Sequence, residues 1–173
     1  MQTFSGTADT VATVNAPADT LFAFLDDHKN LSSHMSKSSG MMLGSRMEIY
    51  LDAAGARSVG SKFGFKGAIL GVPLSVDEVV TKRDPPGRKV WETIGEPKLW
   101  VIGRYRMGFE ITPQGNAARL RVFIEYALPQ AGLSRLLGIL FGNIYARWCT
   151  TRMAGDAGRH FQNALTEPAA SAV

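Results

Sequence analysis

Cysteine is almost absent from this sequence. Among 173 residues there is one cysteine, Cys149. A single thiol excludes an intramolecular disulfide framework and leaves too few thiolate ligands for a structural zinc or iron–sulfur site. We also expect no metal and no cofactor, and the single cysteine fits a reducing compartment.

Long apolar runs are absent as well. The longest candidate lies around Leu136–Phe141, far short of the ~20 residues that span a bilayer. Met1–Thr10 holds no basic stretch followed by an apolar one, so no secretion signal is predicted there. These features predict a soluble, cytoplasmic protein.

The net charge is small. Lys and Arg outnumber Asp and Glu by 19 to 15, which gives +4, and 45% of the residues are hydrophobic. This balance excludes a disordered chain and is typical of one globular domain, which we place at residues 1–166. A nucleic-acid surface would require the cations to be clustered.

A β-hairpin is the clearest local pattern. Tyr105–Ile111 and Ala118–Tyr126 each alternate apolar and polar residues with period two, as strands with one buried face do. If Ile111 pairs with Ala118, the apolar positions of the two strands face each other throughout.

Four arginines lie on the other face of this hairpin. In the same register, Glu110 lies opposite Arg119 and Glu125 lies opposite Arg104, so two of the arginines have cross-strand carboxylates. This favours a solvated outer face and no nucleic-acid partner. The four are Arg104, Arg106, Arg119 and Arg121.

The order of predicted elements indicates an α+β fold in which an antiparallel sheet of about seven strands curls around one long helix. Turn residues divide Met41–Leu128 into six of these strands. The other predicted segments are a strand over Ala8–Val14, a helix from Pro17 to Asp26–Asp27, a short helix over His28–Met35, a polar connection over Ser32–Gly40, a long helix over Leu133–Leu165 and a disordered tail over Glu167–Val173.

Two apolar stripes compete on the long helix. Either the helix bends after Trp148 or its buried face rotates there. One stripe comprises Leu133, Leu137, Leu140, Ile144 and Trp148, and the other comprises Leu136, Leu140, Asn143, Arg147, Thr150, Ala154, Ala157, Phe161 and Leu165.

Three segments resemble the START-related helix-grip superfamily (SRPBCC), which includes polyketide cyclase/dehydrase and lipid-transfer-like proteins. They are Val14–Asp27, where a strand ends in Ala-Pro before a helix with an aliphatic-Phe pair, Asp84-Pro85-Pro86 between two strands, and Arg147-Trp148 on the closing helix. The resemblance covers about residues 8 to 165. It implies a cavity between the concave sheet and the C-terminal helix, and it implies no universal catalytic set.

The sequence independently offers residues for such a cavity, since methionine and aromatic side chains make adaptable apolar walls. The alternative for each of them is that it only fills the core. The candidate ligand-binding residues are Met47, Phe63, Phe65, Glu78, Trp100, Met107, Phe109, Tyr126, Leu140, Ile144, Arg147 and Trp148.

The sequence leaves the orientation of two charged candidates, Glu78 and Arg147, undecided. Either Glu78 or its neighbour Asp77 points inward, and an inward carboxylate would be a candidate acid or base. On the closing helix either Arg147 faces the cavity, where it would hold a ligand carboxylate or phosphate, or Trp148 does and Arg147 extends into water.

Other catalytic patterns are weak. Asp26, Asp27 and His28 with His34 suggest a metal cluster, but the two aspartates are better explained as helix cap and turn residues. Cys149 and His160 are eleven residues apart on one helix, roughly 16 Å, which is too far for a thiolate–imidazolium pair. Four glycines are interpreted as sites of strand bending: Gly60, Gly64, Gly67 and Gly71.

The sequence thus predicts a domain that binds a hydrophobic small molecule or lipid in a central cavity. One alternative is a polyketide cyclase, aromatase or dehydratase that uses the same cavity. Another is a membrane-proximal lipid carrier, in which the apolar segment Leu136–Gly142, flanked by Arg135 and Arg147, contacts a membrane.

Overall fold

One seven-stranded antiparallel sheet is the largest part of the described structure. The computed structural model describes residues 3–31, 47–69, 72–130 and 132–166. Its elements are β1 (Gly6–Val14), α1 (Ala18–Asp26), α2 (His28–Leu31), β2 (Met47–Leu51), β3 (Lys62–Ile69), β4 (Val72–Asp84), β5 (Arg88–Lys98), β6 (Tyr105–Gln114), β7 (Ala117–Tyr126) and α3 (Gly132–Thr166). The seven strands lie in the order β1-β7-β6-β5-β4-β3-β2, so β1 pairs with the last strand of the chain.

This architecture confirms the predicted fold class. The first helix ends at Asp26 as expected, and Asp27 caps α2 by accepting a 2.9 Å hydrogen bond from the backbone N–H of Lys29. The predicted extension of this second helix to Met35, the polar connection over Ser32–Gly40 and the tail over Glu167–Val173 lie outside the described residues.

The β6–β7 hairpin has a different register from the one predicted. Ile111 pairs with Leu120, not with Ala118, because β6 continues to Gln114 and the loop consists of Gly115–Asn116 alone. Gly115 has a φ of +64°, which a two-residue hairpin loop requires and glycine supplies without strain. Because the shift is two residues, the same side chains still face the core.

Ion pairs cover the outer face of this hairpin, with partners set by the observed register. Arg121 lies between Asp9 and Glu110, with 3.1 Å to each carboxylate. Such exposed pairs contribute about 0–1 kcal/mol each. The predicted pairs of Glu110 with Arg119 and of Glu125 with Arg104 do not form. Glu110 instead pairs with Arg121, and Glu125 and Glu92 both pair with Arg106. Arg104 pairs with Glu96.

Two glycines lie where strands approach too closely for a side chain. A Cβ on Gly64 would lie 2.3 Å from the carbonyl oxygen of Val76, and one on Gly108 would lie 2.5 Å from that of Lys89. Gly64 is therefore needed for close packing between strands, whereas the sequence predicted that it lets the strand bend. Of the other glycines proposed for bending, Gly60 lies in a turn with φ +86°, Gly67 lies in β3, and Gly71 is outside the described residues.

The long helix α3 packs small residues against the sheet. A Cβ on Gly142 would lie 3.0 Å from the carbonyl oxygen of Val101, so the helix approaches the chain backbone closely here. The predicted buried stripes are therefore wrong in the first half of the helix, and the second stripe holds from Thr150 to Phe161. The buried face comprises Gly138, Gly142, Ala146, Cys149, Thr150, Met153, Ala154 and Ala157.

Among the described residues, no helix combines the length and the apolar character needed to cross a membrane.

Candidate ligand-binding site

Glu78 faces the interior of the protein. In β4 the buried side chains Val76 and Val80 lie on either side of it, whereas Asp77 is exposed. Glu78 is 1% exposed. Of the two orientations that the sequence left open, the structure adopts the one that buries this carboxyl group.

One oxygen of Glu78 has a partner and the other has none. The hydroxyl of Tyr105 donates a 2.7 Å hydrogen bond to Oε1. Oε2 accepts no regular hydrogen bond from any described residue, although buried polar atoms in proteins nearly always have a partner. The position thus offers one unused hydrogen-bonding atom inside the fold.

The surrounding sheet fixes this pair in place. Glu78 lies between Phe63 on β3 and Thr93 on β5 in the strand registers. The Thr93 hydroxyl accepts a 3.2 Å hydrogen bond from the backbone N–H of Tyr105, which ties β5 to β6 at the same level. Four neighbouring strands therefore contribute to one row across the concave face.

Burial raises the pKa of Glu78 to about 8. The Tyr105 hydrogen bond acts in the opposite direction, as does the indole of Trp91, whose N–H does not meet the geometry of a regular hydrogen bond. Burial also raises the pKa of Tyr105 well above its usual value, and the neighbouring Glu78 raises it further. At neutral pH both groups are therefore mainly protonated, and Glu78 is positioned near the range where acid–base catalysts work.

Apolar side chains surround the carboxyl group. Trp91 and His28, neither of which the sequence singled out as wall residues, pack their rings against Phe63, with the His28 centroid 3.9 Å from that of Phe63. Burial lowers the pKa of His28 well below its usual value, and the positive charge of Lys89 lowers it further. The sequence-predicted residues that are buried on this face are Phe63, Phe65, Met107, Phe109 and Tyr126.

The helix α3 brings Tyr145 and Cys149 close to the pair. Cys149 is buried, and burial raises the pKa of its thiol to about 12 despite an opposing contact with Tyr145. The neighbouring Cys149 raises the pKa of Tyr145 well above its usual value, and burial and Glu78 raise it further. Trp148 is half-buried and stacks on Tyr145 with 5.9 Å between ring centroids.

Three predicted residues of the helix do not face the sheet. Leu140 and Ile144 are 57% and 56% exposed, and Arg147 is exposed as well. The inward orientation predicted for Leu140 and Ile144 is wrong, because the close approach of this part of the helix admits only small residues on its inner side. Arg147 extends into water, which was the second of its two predicted orientations.

The last two predicted residues lie at the edge of this region. Trp100 is half-buried in the connection between β5 and β6. The side chain of Met47 lies outside the described part of the structure, and its backbone begins β2. The same β5–β6 connection borders an open cleft of about 560 Å³, whose walls include Leu99, Ile102 and Ser134.

A buried ion cluster anchors α1 and α2 beside the site. Asp26 accepts hydrogen bonds from Lys89 at 2.8 Å and from Arg83 at 2.9 Å. Burial alone would raise the pKa of Asp26, but these hydrogen bonds outweigh it and hold the pKa below its usual value. The sequence offered a cap or turn role for this residue, and its role as the acceptor of two distant cations was missed.

Comparison with known proteins gives the fold. No protein-family model and no curated protein matches the chain. Three similar solved structures are TTHA0849 from Thermus thermophilus, the ZhuI aromatase/cyclase from Streptomyces sp. R1128 and norcoclaurine synthase from Thalictrum flavum. Their identities are 13%, 12% and 14%, and their TM-scores are 0.66, 0.66 and 0.60.

These matches extend over nearly the whole chain. They cover 92%, 97% and 94% of this protein and 99%, 99% and 88% of the three solved chains, in the same order. The likeness therefore includes the sheet, the short helices and the closing helix together. It confirms, at the level of architecture, the helix-grip fold that the sequence predicted.

Proposed function

We propose that this protein binds a hydrophobic small molecule or lipid between the concave face of the sheet and α3, with Glu78 holding the ligand's one polar group. The observation that carries this proposal is the buried Oε2 atom of Glu78, which has no hydrogen-bond partner among the described residues. A polar atom left in this state costs about 1–3 kcal/mol. A ligand that hydrogen-bonds to Oε2 recovers that free energy.

The chemistry of the site restricts the ligand. Because the pKa of Glu78 is about 8, the carboxyl group is mainly protonated at neutral pH and can donate a hydrogen bond from Oε2. Its surroundings are aromatic: Phe63 lies opposite Glu78 on the neighbouring strand, and the indole of Trp91 interacts with the carboxyl group. We therefore expect an apolar molecule that carries a carbonyl, phenol or alcohol oxygen.

Two of the similar structures support this class of ligand. One is the aromatase/cyclase, and the other is norcoclaurine synthase in complex with dopamine and hydroxybenzaldehyde, which are small aromatic molecules with oxygen substituents. At 12% and 14% identity they support the type of ligand without specifying it.

The proposed location is tested with single-tryptophan variants and a brominated aromatic alcohol, 6-bromo-2-naphthol, since bromine quenches fluorescence on contact. A variant that keeps only Trp91, beside Glu78, should be quenched saturably at micromolar ligand. A variant that keeps only Trp100, beside the open cleft, should respond weakly. Quenching of Trp100 alone would place the ligand in the cleft, and no quenching of either would contradict ligand binding.

A second candidate function is acid–base catalysis of the cyclase, aromatase or dehydratase type. The observation that favours it is the pKa of Glu78, about 8, because a general acid or base works best near the operating pH. Glu78 would exchange a proton with the substrate, and Tyr105 would hold the carboxyl group in position. Glu78→Gln should then keep ligand binding and lower turnover about 100-fold or more. Unchanged turnover would exclude this role.

We also propose that the protein is located in the cytoplasm.

A further inference from the structure

The first half of α3 exposes large apolar side chains. They form a stripe along the side of the helix opposite its small residues, with spacings of three and four residues. Ile139 and Phe141 flank this stripe with 60% and 47% exposure. We call its four members the apolar face: Leu133, Leu136, Leu140 and Ile144, which are 71%, 54%, 57% and 56% exposed.

The helix cannot turn this face inward. On its inner side, Cβ atoms on Gly138 and Gly142 would each lie 3.0 Å from the carbonyl oxygen of Val101. Replacing these glycines by leucine-sized side chains at the contact would push the helix away from the chain below it. The exposure of the apolar face is thus a consequence of the packing, and an exposed hydrophobic stripe of this kind marks an interaction surface.

The charge of the same helix indicates what that partner is. Gly132–Gly155 contains three arginines, at positions 135, 147 and 152, and no carboxylate before Asp156. Arg147 is exposed and follows Ile144 by three residues, at the end of the apolar face. An apolar stripe beside cations without acidic residues is typical of helices that lie on anionic lipid.

We propose that the apolar face docks the protein onto the surface of an anionic membrane, with α3 lying parallel to the surface. A second copy of the chain would suit the charges less well. A symmetric dimer through this face would bring the arginines of two helices together with no acidic partner in Gly132–Gly155. Phospholipid headgroups instead supply the opposite charge.

The open cleft lies next to this surface. Ser134, in the first turn of α3 and next to Leu133, is part of the wall of the 560 Å³ cleft. Docking would therefore bring the cleft close to the lipid. The docking surface does not depend on a ligand at Glu78, so it goes beyond the proposed function.

The test is sedimentation of the purified protein with vesicles of phosphatidylcholine alone or with about 30% phosphatidylglycerol. The protein should bind the anionic vesicles, and roughly 0.5 M salt should weaken that binding, because salt screens exposed charges. Absence of binding, or equal binding to both vesicle types, would overturn the proposal.

Matched variants identify the surface. The double change Leu140→Asn and Ile144→Asn should reduce binding to anionic vesicles about tenfold or more, since it removes two apolar side chains from the contact. Arg147→Gln should reduce it about fivefold. Val59→Asn changes an equally exposed residue, 62% exposed, in the turn before β3, and should have no effect.

The competing partner has its own measurement. Sedimentation velocity at micromolar concentration should show a monomer for both the wild type and the double variant. The contrary outcome is that the wild type forms a dimer, the double variant does not, and the protein fails to bind vesicles. This outcome would assign the apolar face to a second copy and overturn the membrane proposal. Circular dichroism spectra should be the same for all variants, because every changed side chain is exposed.

Discussion

The hydroxyl of Tyr105 donates a 2.7 Å hydrogen bond to Oε1 of Glu78, and both side chains are buried on the concave face of the sheet. The two residues come from strands that are not adjacent, with β5 between them. Their contact leaves Oε2 of the same carboxyl group without a regular partner among the described residues. The pair therefore has a fixed geometry and one remaining hydrogen-bonding atom.

Glu78→Gln should change how stability depends on pH. The folded pKa is about 8 and the ordinary value is 4.5, so the folded protein holds an extra proton between these pH values and its stability falls as pH rises through them. Each unit of pKa difference corresponds to about 1.4 kcal/mol. Glutamine does not titrate. The difference in the free energy of unfolding, variant minus wild type, should therefore rise by several kcal/mol between pH 5 and pH 8.

Urea unfolding at a series of pH values measures this gain. Glu48→Gln, which changes an exposed carboxylate on β2, is the matched control and should follow the wild type. A constant difference between Glu78→Gln and the wild type across the range would show that Glu78 does not titrate in this window.

Tyr105→Phe should destabilise the protein by about 1–3 kcal/mol, because Oε1 of Glu78 loses its donor while remaining buried. The Tyr105 hydrogen bond lowers the pKa of Glu78, so its removal should raise that pKa above about 8. A pH titration monitored by the carboxyl resonance of Glu78 measures the shift. Tyr50→Phe, at a partly exposed tyrosine, is the control. A pKa that stays the same or falls would contradict the assigned contact.

Asp26→Asn should destabilise the protein by about 3–5 kcal/mol at pH 7, since it leaves Lys89 buried without its carboxylate. The pKa of Asp26 lies below its usual value of 3.8, so its contribution is present above that pH and is lost as pH falls through the folded pKa. The difference between variant and wild type, measured by urea unfolding, should therefore shrink toward pH 3.

The neighbouring Asp27→Asn is the control for this change. Asparagine is as good a helix cap as aspartate, and the lost pair with Arg57 is partly exposed. We expect a change of about 0–1 kcal/mol. Equal effects of the two substitutions would mean that the buried cluster adds nothing beyond a surface pair.

Gly108→Ala should destabilise the protein by about 1–3 kcal/mol, because its Cβ would lie 2.5 Å from the carbonyl oxygen of Lys89. Gly158→Ala, in α3, meets nothing within 4 Å and should stabilise the helix by about 0.5–1 kcal/mol. Thermal unfolding of both variants compares them directly. A Gly108→Ala variant as stable as the wild type would mean that β5 and β6 separate readily at this point.

Local patterns predicted the fold well. The alternation in β6 and β7, the helix start after Pro17 and the turn residues between strands each act over a few residues, and the structure has these elements in the predicted order. The hairpin register was wrong by two residues because the two-residue loop at Gly115–Asn116 extends both strands.

The site was less predictable, for two physical reasons. In β4, Asp77 and Glu78 are both carboxylates, so alternation alone gives no reason to bury one and expose the other. The partners of Asp26 lie 57 and 63 residues away, at Arg83 and Lys89, and no local spacing signals such contacts.

The closing helix shows where a general rule failed. Periodicity assumes that the largest apolar residues face the core, but here the close approach of α3 selects Gly138 and Gly142 and leaves Leu140 outside. Small residues spaced four apart, from Gly138 through Gly142 to Ala146, were the available signal for this packing.

The central claim is that Glu78 binds the polar group of an apolar ligand on the concave face. Calorimetric titration with 2-naphthol and with naphthalene, which differ by one hydroxyl, tests it most directly in the wild type and in the double variant Glu78→Leu and Tyr105→Phe. The double change removes both members of the pair and leaves no buried hydroxyl without its partner.

We predict that the wild type prefers 2-naphthol about five- to tenfold, the value of one hydrogen bond of about 1 kcal/mol or slightly more, and that the double variant binds both molecules equally. The same preference in both proteins, or no preference in the wild type, would contradict the claim.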